Sequence, residues 1–175
     1  MIYLPKRAVF IHIPRTGGNS ITNAIASSCV GKKIDIVLGT CHWSIKDFYH
    51  VSLHVPAKHL KKHIKEWDSI FKFAIHRPLE DRIESVIKLI TQEKKRKNRS
   101  KNTNEIWQKL VDSDNYEETI RQEWKSHTTE WFTLGEKNED LGVRIYNYNE
   151  LHRSWPEICA NCNIPYSKLL HLNKS

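Results

Sequence analysis

The fold is decided by the stretch IHIPRTGGNSI at residues 11–21. With the apolar residues just before it, this stretch predicts a buried strand over residues 8–13 that ends at a proline. Two adjacent glycines then allow a tight turn, and Asn19 and Ser20 favour the start of a helix. The first amides of that helix and the positive end of its dipole would face an anion beside the Arg15 guanidinium. The stretch therefore predicts a phosphate-binding loop.

The loop differs from the usual nucleotide-triphosphate loop. That loop requires four residues between its glycines and then Gly-Lys-Ser/Thr, whereas Gly17 and Gly18 are adjacent here and no such lysine follows. A P-loop kinase acting on a small metabolite is therefore a disfavoured alternative, and it would bind ATP with magnesium.

A second stretch, FKFAIHR at residues 71–77, predicts another buried strand, followed by an amphipathic helix over residues 78–92. Arg77 leaves the tip of this strand, and Ser85 follows about two turns into the helix, with Arg82 between them. Such an arginine and serine can converge on one phosphate, since the guanidinium is a planar fork of donors and the serine adds a hydroxyl.

A third region comprises VRIYNYNEL at residues 143–151, WPEIC at residues 155–159 and HLNKS at residues 171–175. Together the three regions resemble sulfotransferases of the bacterial and carbohydrate type, which use 3′-phosphoadenosine 5′-phosphosulfate (PAPS). The resemblance implies transfer of a sulfuryl group to a hydroxyl or amine acceptor and release of adenosine 3′,5′-bisphosphate (PAP). The cofactor-binding residues that it implies are Arg15, Thr16, Gly17, Gly18, Asn19, Ser20, Arg77, Ser85 and Lys174.

The chain departs from the family pattern at two positions. Arg15 stands where the family has its catalytic lysine, and Pro78 follows Arg77 without the usual Asp or Asn between them. A guanidinium can neutralise charge on the leaving oxygen but does not readily donate a proton. A catalytically inactive nucleotide-binding homologue therefore stays open as an alternative to an active enzyme.

An acceptor hydroxyl needs a base, and histidine is the side chain most easily poised for this role near neutral pH. His54 is the first choice, because it resembles the histidine that related sulfotransferases place just before a helix. His42 is the second choice. His12, inside the first strand, could line the site from below, and His127 could reach the acceptor pocket. No cluster of acidic residues flanks the loop to hold magnesium, so no metal is expected.

The alternation of strands and helices predicts the fold class. We expect an α/β protein with a P-loop-like fold of three layers, in which helices flank a central, mostly parallel sheet. The 175 residues suit a single sulfotransferase-like domain over residues 1–175. The predicted strands are 8–13, 34–38, 70–76 and 143–147, and the predicted helices are 19–29, 56–66, 78–92, 104–112, 115–126 and 154–162.

The net charge of +8 is concentrated in one segment, since residues 94–101 hold six basic residues and no acid. We expect a basic connector over about residues 93–103. It is either a solvated link between helices or a binding surface for an anionic acceptor such as a glycan. Nucleic acid is the weakest option, because no known nucleic-acid-binding motif accompanies the charge.

Two further patterns bear on location and redox state. No apolar run approaches the roughly 20 residues of a membrane span, and the N-terminus lacks the order of a signal peptide, so we expect a cytoplasmic protein with no membrane partner. Cys159 and Cys162 have a Cys-x-x-Cys spacing, but Cys29 and Cys41 cannot supply a second pair. Reduced thiols are therefore expected rather than a metal or redox site.

Overall fold

The computed structural model describes residues 1–38, 54–95 and 105–170. Within these ranges the strands are β1 (Ile2–Leu4), β2 (Ala8–Ile11), β3 (Val37–Leu38), β4 (Phe71–His76) and β5 (Arg144–Asn147). The helices are α1 (Gly18–Cys29), α2 (Ala57–Lys61), α3 (Leu79–Lys95), α4 (Glu105–Asp112), α5 (Tyr116–Trp124), α6 (Thr129–Thr133) and α7 (Leu151–Asn161). A short 3-10 helix, Tyr148–Glu150, links β5 to α7.

The strands form one mixed sheet in the order β3-β1-β2-β4-β5. β2 and β4 are parallel, and so are β4 and β5, with Phe10 opposite Phe73 and Phe73 opposite Arg144. β1 is antiparallel to both β2 and β3. The chain is therefore an α/β protein, and its sheet is less parallel than predicted, because β1 runs opposite to the other four strands and only the β2–β4 and β4–β5 pairs are parallel.

The unpredicted strand β1 explains this difference. A turn over residues 4–7 joins β1 to β2, and the Arg7 amide donates to the Leu4 carbonyl at 3.0 Å. So short a connection forces neighbouring strands to be antiparallel. Lys6 has φ 58°, a conformation usually taken by glycine in such turns, so residue type gives no sign of the hairpin.

Each face of the sheet packs against its own apolar cluster. On one face, strand residues such as Phe10 and Phe73 pack with α1 and α7, including Ile25 and Trp155. On the other face, Val9, Ile11 and Ala74 pack with Leu60 of α2 and Phe132 of α6. Successive side chains of β2 point to opposite faces of the sheet, and all of them are apolar. The strand therefore packs against helices on both sides.

The chain divides into two compact units. The sheet unit comprises residues 1–77 and 129–175, and the helical unit comprises residues 78–128. In the helical unit, α3, α4 and α5 surround an apolar cluster of Ile83, Val86, Ile87, Ile90, Val111 and Ile120. A single domain over residues 1–175 stays a prediction.

Several helix limits differ from the predictions. α3 continues to Lys95, so the basic connector begins after residue 95, and residues 96–104 lie outside the described ranges. α7 begins at Leu151 rather than residue 154, because the 3-10 helix starts the turn earlier, and Pro156 therefore lies inside α7. α2 ends at Lys61, and α6 was not predicted.

No helix in the described part of the chain is both long and apolar enough to span a membrane. Cytoplasmic location stays a prediction.

Candidate functional site

The candidate site lies where the three parallel strands end. β2, β4 and β5 have their carboxyl ends at the same edge of the sheet, the edge at which ligands bind in open α/β sheets. The glycine loop follows β2, Arg77 follows β4 directly, and Tyr148 follows β5 directly. All of these residues belong to the sheet unit.

The loop from residue 14 to residue 17 is tightly wound. Arg15 has φ 64° and Gly17 has φ 80°, so two of its residues are left-handed. The buried Thr16 hydroxyl donates to the Ile13 carbonyl at 2.8 Å, which ties the loop back to the strand. Thr16, a predicted cofactor ligand, thus holds the loop in shape.

Helix α1 begins at Gly18, after Gly17 as its N-cap. Gly17 has no side chain with which to cap this end, and the first turn of α1 contains no acidic residue. The Ser20 amide donates to the Gly17 carbonyl at 3.0 Å. The amides of Gly18 and Asn19, before it, have no acceptor inside the helix, so this end keeps donors and a positive dipole for an anion. Asn19 is exposed and Ser20 half-buried in the first turn, and their contacts with a cofactor stay a prediction.

His12 lies beneath the start of α1. Its imidazole is 6% exposed and stacks on Phe10, with ring centroids 5.5 Å apart. A Cβ built on Gly18 would lie 1.7 Å from His12 Nε2, so the ring fills the space that a side chain there would need. Burial, with smaller contributions from neighbouring charges such as His54, lowers the pKa of His12 to about 2. His12 is therefore neutral at physiological pH.

Two arginines meet at this edge. Arg77 Nη1 donates to the backbone carbonyl of Arg15 at 3.3 Å, and both side chains are half-buried. Burial, and then the charge of Arg77, lowers the pKa of Arg15. Within the described ranges, no carboxylate forms an ion pair with Arg77. The edge therefore concentrates positive charge that an anion would stabilise.

Tyr148 joins the loop to the second arginine. The Arg77 guanidinium lies over the Tyr148 ring, 5.0 Å from the ring centroid. The same ring lies 3.0 Å from the position of a Cβ on Gly17. Tyr148 therefore packs against the turn and holds Arg77 beside it by a cation–π contact.

His54 reaches the same edge from the segment before α2. Its Nδ1 lies 2.8 Å from the His12 carbonyl, and the two imidazole rings meet edge to face with centroids 4.5 Å apart. Because a carbonyl only accepts, this bond requires the proton on Nδ1 and leaves the lone pair on Nε2. His54, the preferred predicted base, therefore lies next to the loop in the tautomer that a base needs.

The remaining predicted residues are not placed at this edge. His42 and Lys174 lie outside the described residues. Ser85 is buried in α3 of the helical unit, and its convergence with Arg77 on one phosphate stays a prediction. Arg82 has a structural role in the helical unit, because its Nη1 donates to the His127 carbonyl at 2.7 Å and its guanidinium lies over the Trp124 ring.

Tyr148 was missed by the sequence analysis, and His12 was recognised only as lining the site. A tyrosine directly after a parallel strand, and a histidine at the end of the strand before a glycine turn, are signals that could have identified both. Their roles depend on contacts between distant parts of the chain, which sequence spacing does not give.

The three cysteines in the described part of the chain belong to the apolar core. Cys29, Cys159 and Cys162 are reduced and buried in the apolar cluster beside α1 and α7. Burial, and to a smaller extent the neighbouring thiols of Cys159 and Cys29, raises the pKa of Cys162 to about 12. Such thiols are poor nucleophiles. Among the described residues, no group of three or more His, Cys, Asp or Glu side chains could hold a metal ion.

Three comparisons, with protein-family models, with curated proteins and with solved structures, found no match to this chain.

Proposed function

We propose that this chain is a sulfotransferase that transfers a sulfuryl group from PAPS to a hydroxyl or amine acceptor. The observation that carries the proposal is the pairing of Arg15 and Arg77 beside the uncapped start of α1. Two guanidinium groups and a helix N-terminus suit a ligand with several negative charges. The finer fold proposed with this function is P-loop-like, with a central sheet between two layers of helices.

The residues of the loop fit the phosphosulfate of such a donor. Gly17 and Gly18 present no side chain toward the first amides of α1, and His12 occupies the space behind Gly18. Arg15 and these amides would hold the 5′-phosphosulfate, and Arg77 would hold the 3′-phosphate. When bound, the donor supplies an activated sulfuryl group and a bisphosphate leaving group.

The chain's own residues would have separate tasks in the transfer. Arg15 provides a fixed positive charge where negative charge develops on the leaving oxygen. His54 accepts the proton of the acceptor at Nε2, since its Nδ1 is held by the His12 carbonyl. Tyr148 keeps Arg77 in position through the cation–π contact. Apart from this proton transfer, the scheme consists of positioning and electrostatic stabilisation.

Arg15 also favours a second candidate function, a nucleotide-binding protein without activity. Burial and Arg77 both lower the pKa of Arg15, but a guanidinium keeps its proton in proteins. If the reaction needs a proton donor at this position, the chain would bind the bisphosphate and leave the donor intact. Turnover in the presence of bound nucleotide separates the two functions.

The proposal is tested by calorimetric titration with three nucleotides. We expect adenosine 3′,5′-bisphosphate to bind more tightly than adenosine 5′-phosphate by more than about tenfold, because a site built for a charged group loses its partner when the 3′-phosphate is missing. Arg77→Ala should remove most of this preference. Arg153→Ala removes an exposed arginine elsewhere in the sheet unit and is the matched control.

Equal affinity for the two adenosine nucleotides would contradict the proposal. Tight, magnesium-dependent binding of ATP in the same titration would instead favour the kinase alternative. If Arg77→Ala and Arg153→Ala weaken binding alike, the effect comes from net charge and not from a site at Arg77.

A further inference from the structure

The last residue of β4 is tied to the first residue of α6. His76 Nδ1 lies 2.8 Å from the Thr129 hydroxyl oxygen, so these two side chains share a hydrogen bond. Thr129 is buried and His76 is half-buried. Both residues belong to the sheet unit, although the whole helical unit, residues 78–128, lies between them in the chain. We call this hydrogen bond the β4–α6 bond.

Helix α6 is itself fixed on the sheet. Phe132 is 1% exposed and belongs to the same apolar cluster as Ala74 of β4. Within the helix, the Thr133 hydroxyl donates to the Thr129 carbonyl at 3.0 Å. Because its partner is held in this way, the His76 side chain and the backbone next to it have little freedom to move.

The β4–α6 bond lies on the face of the sheet opposite to the Arg77 guanidinium. Successive side chains of a strand alternate between faces, and Ala74, two residues before His76, belongs to the cluster beside α2 and α6. The Arg77 guanidinium instead lies over Tyr148, whose ring packs against the cluster on the other face. The bond therefore anchors the strand end from behind Arg77.

The contacts at the far end of Arg77 are weaker. Its Nη1 donates to the Arg15 carbonyl at 3.3 Å, slightly longer than the usual range for such bonds. The two guanidinium groups carry like charges, which favour their separation. An anion that bound to a freely moving Arg77 would have to order it, and this costs binding free energy. Fixing the backbone of Arg77 reduces that cost.

We propose that His76 and Thr129 are positioning residues for the anion site, which hold Arg77 in place by fixing the end of β4. The role of Arg77 as a ligand of the 3′-phosphate rests on the proposed function. The restraint on Arg77 does not, because it is a property of the chain without ligand. The two can therefore be tested separately.

The test removes the β4–α6 bond from each side. Thr129→Val keeps the shape of the side chain and loses the hydroxyl, whereas Thr129→Ser keeps the hydroxyl. His76→Leu breaks the bond from the strand, so the test does not depend on the folding of a single variant. Thr133→Val is the matched control, because it is the same substitution in the same helix, at a buried residue whose hydroxyl bonds only the backbone of α6.

The first readout is calorimetric titration with adenosine 3′,5′-bisphosphate and adenosine 5′-phosphate. Thr129→Val and His76→Leu should bind the bisphosphate about threefold to tenfold more weakly, the range expected for one hydrogen bond. Their affinity for adenosine 5′-phosphate should stay within about twofold of wild type, because this nucleotide has no 3′-phosphate for Arg77 to hold. Thr129→Ser and Thr133→Val should bind both nucleotides like wild type.

The second readout is NMR of the chain without ligand. The Arg77 Nε–Hε signal is assigned by its absence in Arg77→Ala, and its heteronuclear NOE reports fast motion of the guanidinium. The NOE should fall in Thr129→Val and His76→Leu. It should keep its wild-type value in Thr129→Ser and Thr133→Val.

Equal weakening of both nucleotides in Thr129→Val would overturn the proposal, because it would show a general loosening of the site. The same loss of bisphosphate affinity in Thr133→Val would assign the effect to α6 as a whole and not to the bond. An unchanged Arg77 NOE in both Thr129→Val and His76→Leu would show that Arg77 is held without the bond. If wild type does not prefer the bisphosphate but the NOE falls only in these two variants, the positioning role stands and the sulfotransferase function fails.

Discussion

The imidazole of His12 fills the space that any side chain at Gly18 would occupy, with Nε2 1.7 Å from the position of a Cβ there. The residue just after β2 and the first residue of α1 are therefore fitted to each other. This contact sets how closely the helix start approaches the sheet edge. It is also why the second glycine of the loop is required even though its φ lies outside the left-handed region.

Gly18→Ala should lower the free energy of unfolding by about 1–3 kcal/mol, the usual cost of forcing a methyl group into a filled site. The penalty should shrink when His12 is also replaced by alanine, because the smaller side chain vacates the space. Urea unfolding of the two single variants and the double variant measures this coupling, which we expect to be at least about 0.5 kcal/mol.

Gly31→Ala is the contrasting substitution for that cycle. Gly31 has φ +69°, but a Cβ there would meet nothing within 4 Å. Its cost should come from backbone strain alone, and His12→Ala should not change it. Strict additivity of Gly18→Ala and His12→Ala would show that the helix start moves away from the ring at no cost.

Stability should fall in acid because of His12. Its pKa is about 2 in the folded chain, against an ordinary value of 6.5. As the pH falls below about 6.5, the unfolded chain binds a proton at His12 that the folded chain does not bind. The free energy of unfolding should therefore drop by up to about 1.4 kcal/mol per pH unit from this group, down to about pH 2.

The measurement is the free energy of unfolding from urea titrations between pH 7 and pH 4. His12→Asn should have a lower free energy of unfolding at pH 7. Its free energy of unfolding should fall less steeply with decreasing pH than that of wild type, by about 1.4 kcal/mol per pH unit, which corresponds to one proton. His152→Asn replaces an exposed histidine and should keep the wild-type slope. Identical slopes for all three proteins would mean that His12 is protonated in the folded chain.

Tyr148 should affect anion binding through Arg77. Tyr148→Leu removes the ring beneath the guanidinium and should weaken adenosine 3′,5′-bisphosphate binding about threefold to thirtyfold, the range of a cation–π contact. Tyr148→Phe keeps the ring and should stay within about twofold of wild type. Calorimetric titration distinguishes the two, and a large loss with Phe would instead assign the role to the hydroxyl.

The sequence was sufficient to predict the elements of the site that depend on local residue type. Apolar strands, a glycine turn and an arginine at a strand tip are signals carried by a few adjacent residues. Arg77 directly follows β4 as predicted, and Arg15 lies in the loop after β2, which ends at Ile11 rather than residue 13. The alternation of strands and helices likewise predicted an α/β protein.

The rest depended on contacts that spacing does not encode. Lys6 adopts a glycine-like conformation in the first hairpin, so the antiparallel strand β1 left no turn signal. Tyr148 reaches both Gly17 and Arg77 only because β5 pairs with β4. The clash between His12 and any side chain at Gly18 depends on how far the His12 ring lies beneath α1. That position is determined by tertiary packing and cannot be read from the sequence.

The roles of His54 and Arg15 can be distinguished by measuring binding and turnover on the same variants. His54→Ala should leave adenosine 3′,5′-bisphosphate affinity nearly unchanged and lower donor-dependent turnover by about 10²–10⁴-fold, the usual contribution of a positioned base. Arg15→Ala should reduce both quantities, since its charge would contact the bound anion and the developing charge alike.

The control for this last comparison is His152→Ala, because His152 is exposed in the sheet unit and has no proposed role in binding or proton transfer. A pH profile adds a second readout. Wild-type turnover should fall as pH drops and the base becomes protonated, whereas the residual turnover of His54→Ala should lose that dependence. Normal turnover in His54→Ala combined with an inactive His42→Ala would move the base to His42 and leave the anion site intact. If neither histidine matters in an active enzyme, the proton is taken by another group, and the tautomer fixed by the His12 carbonyl serves only to pack His54 against the loop.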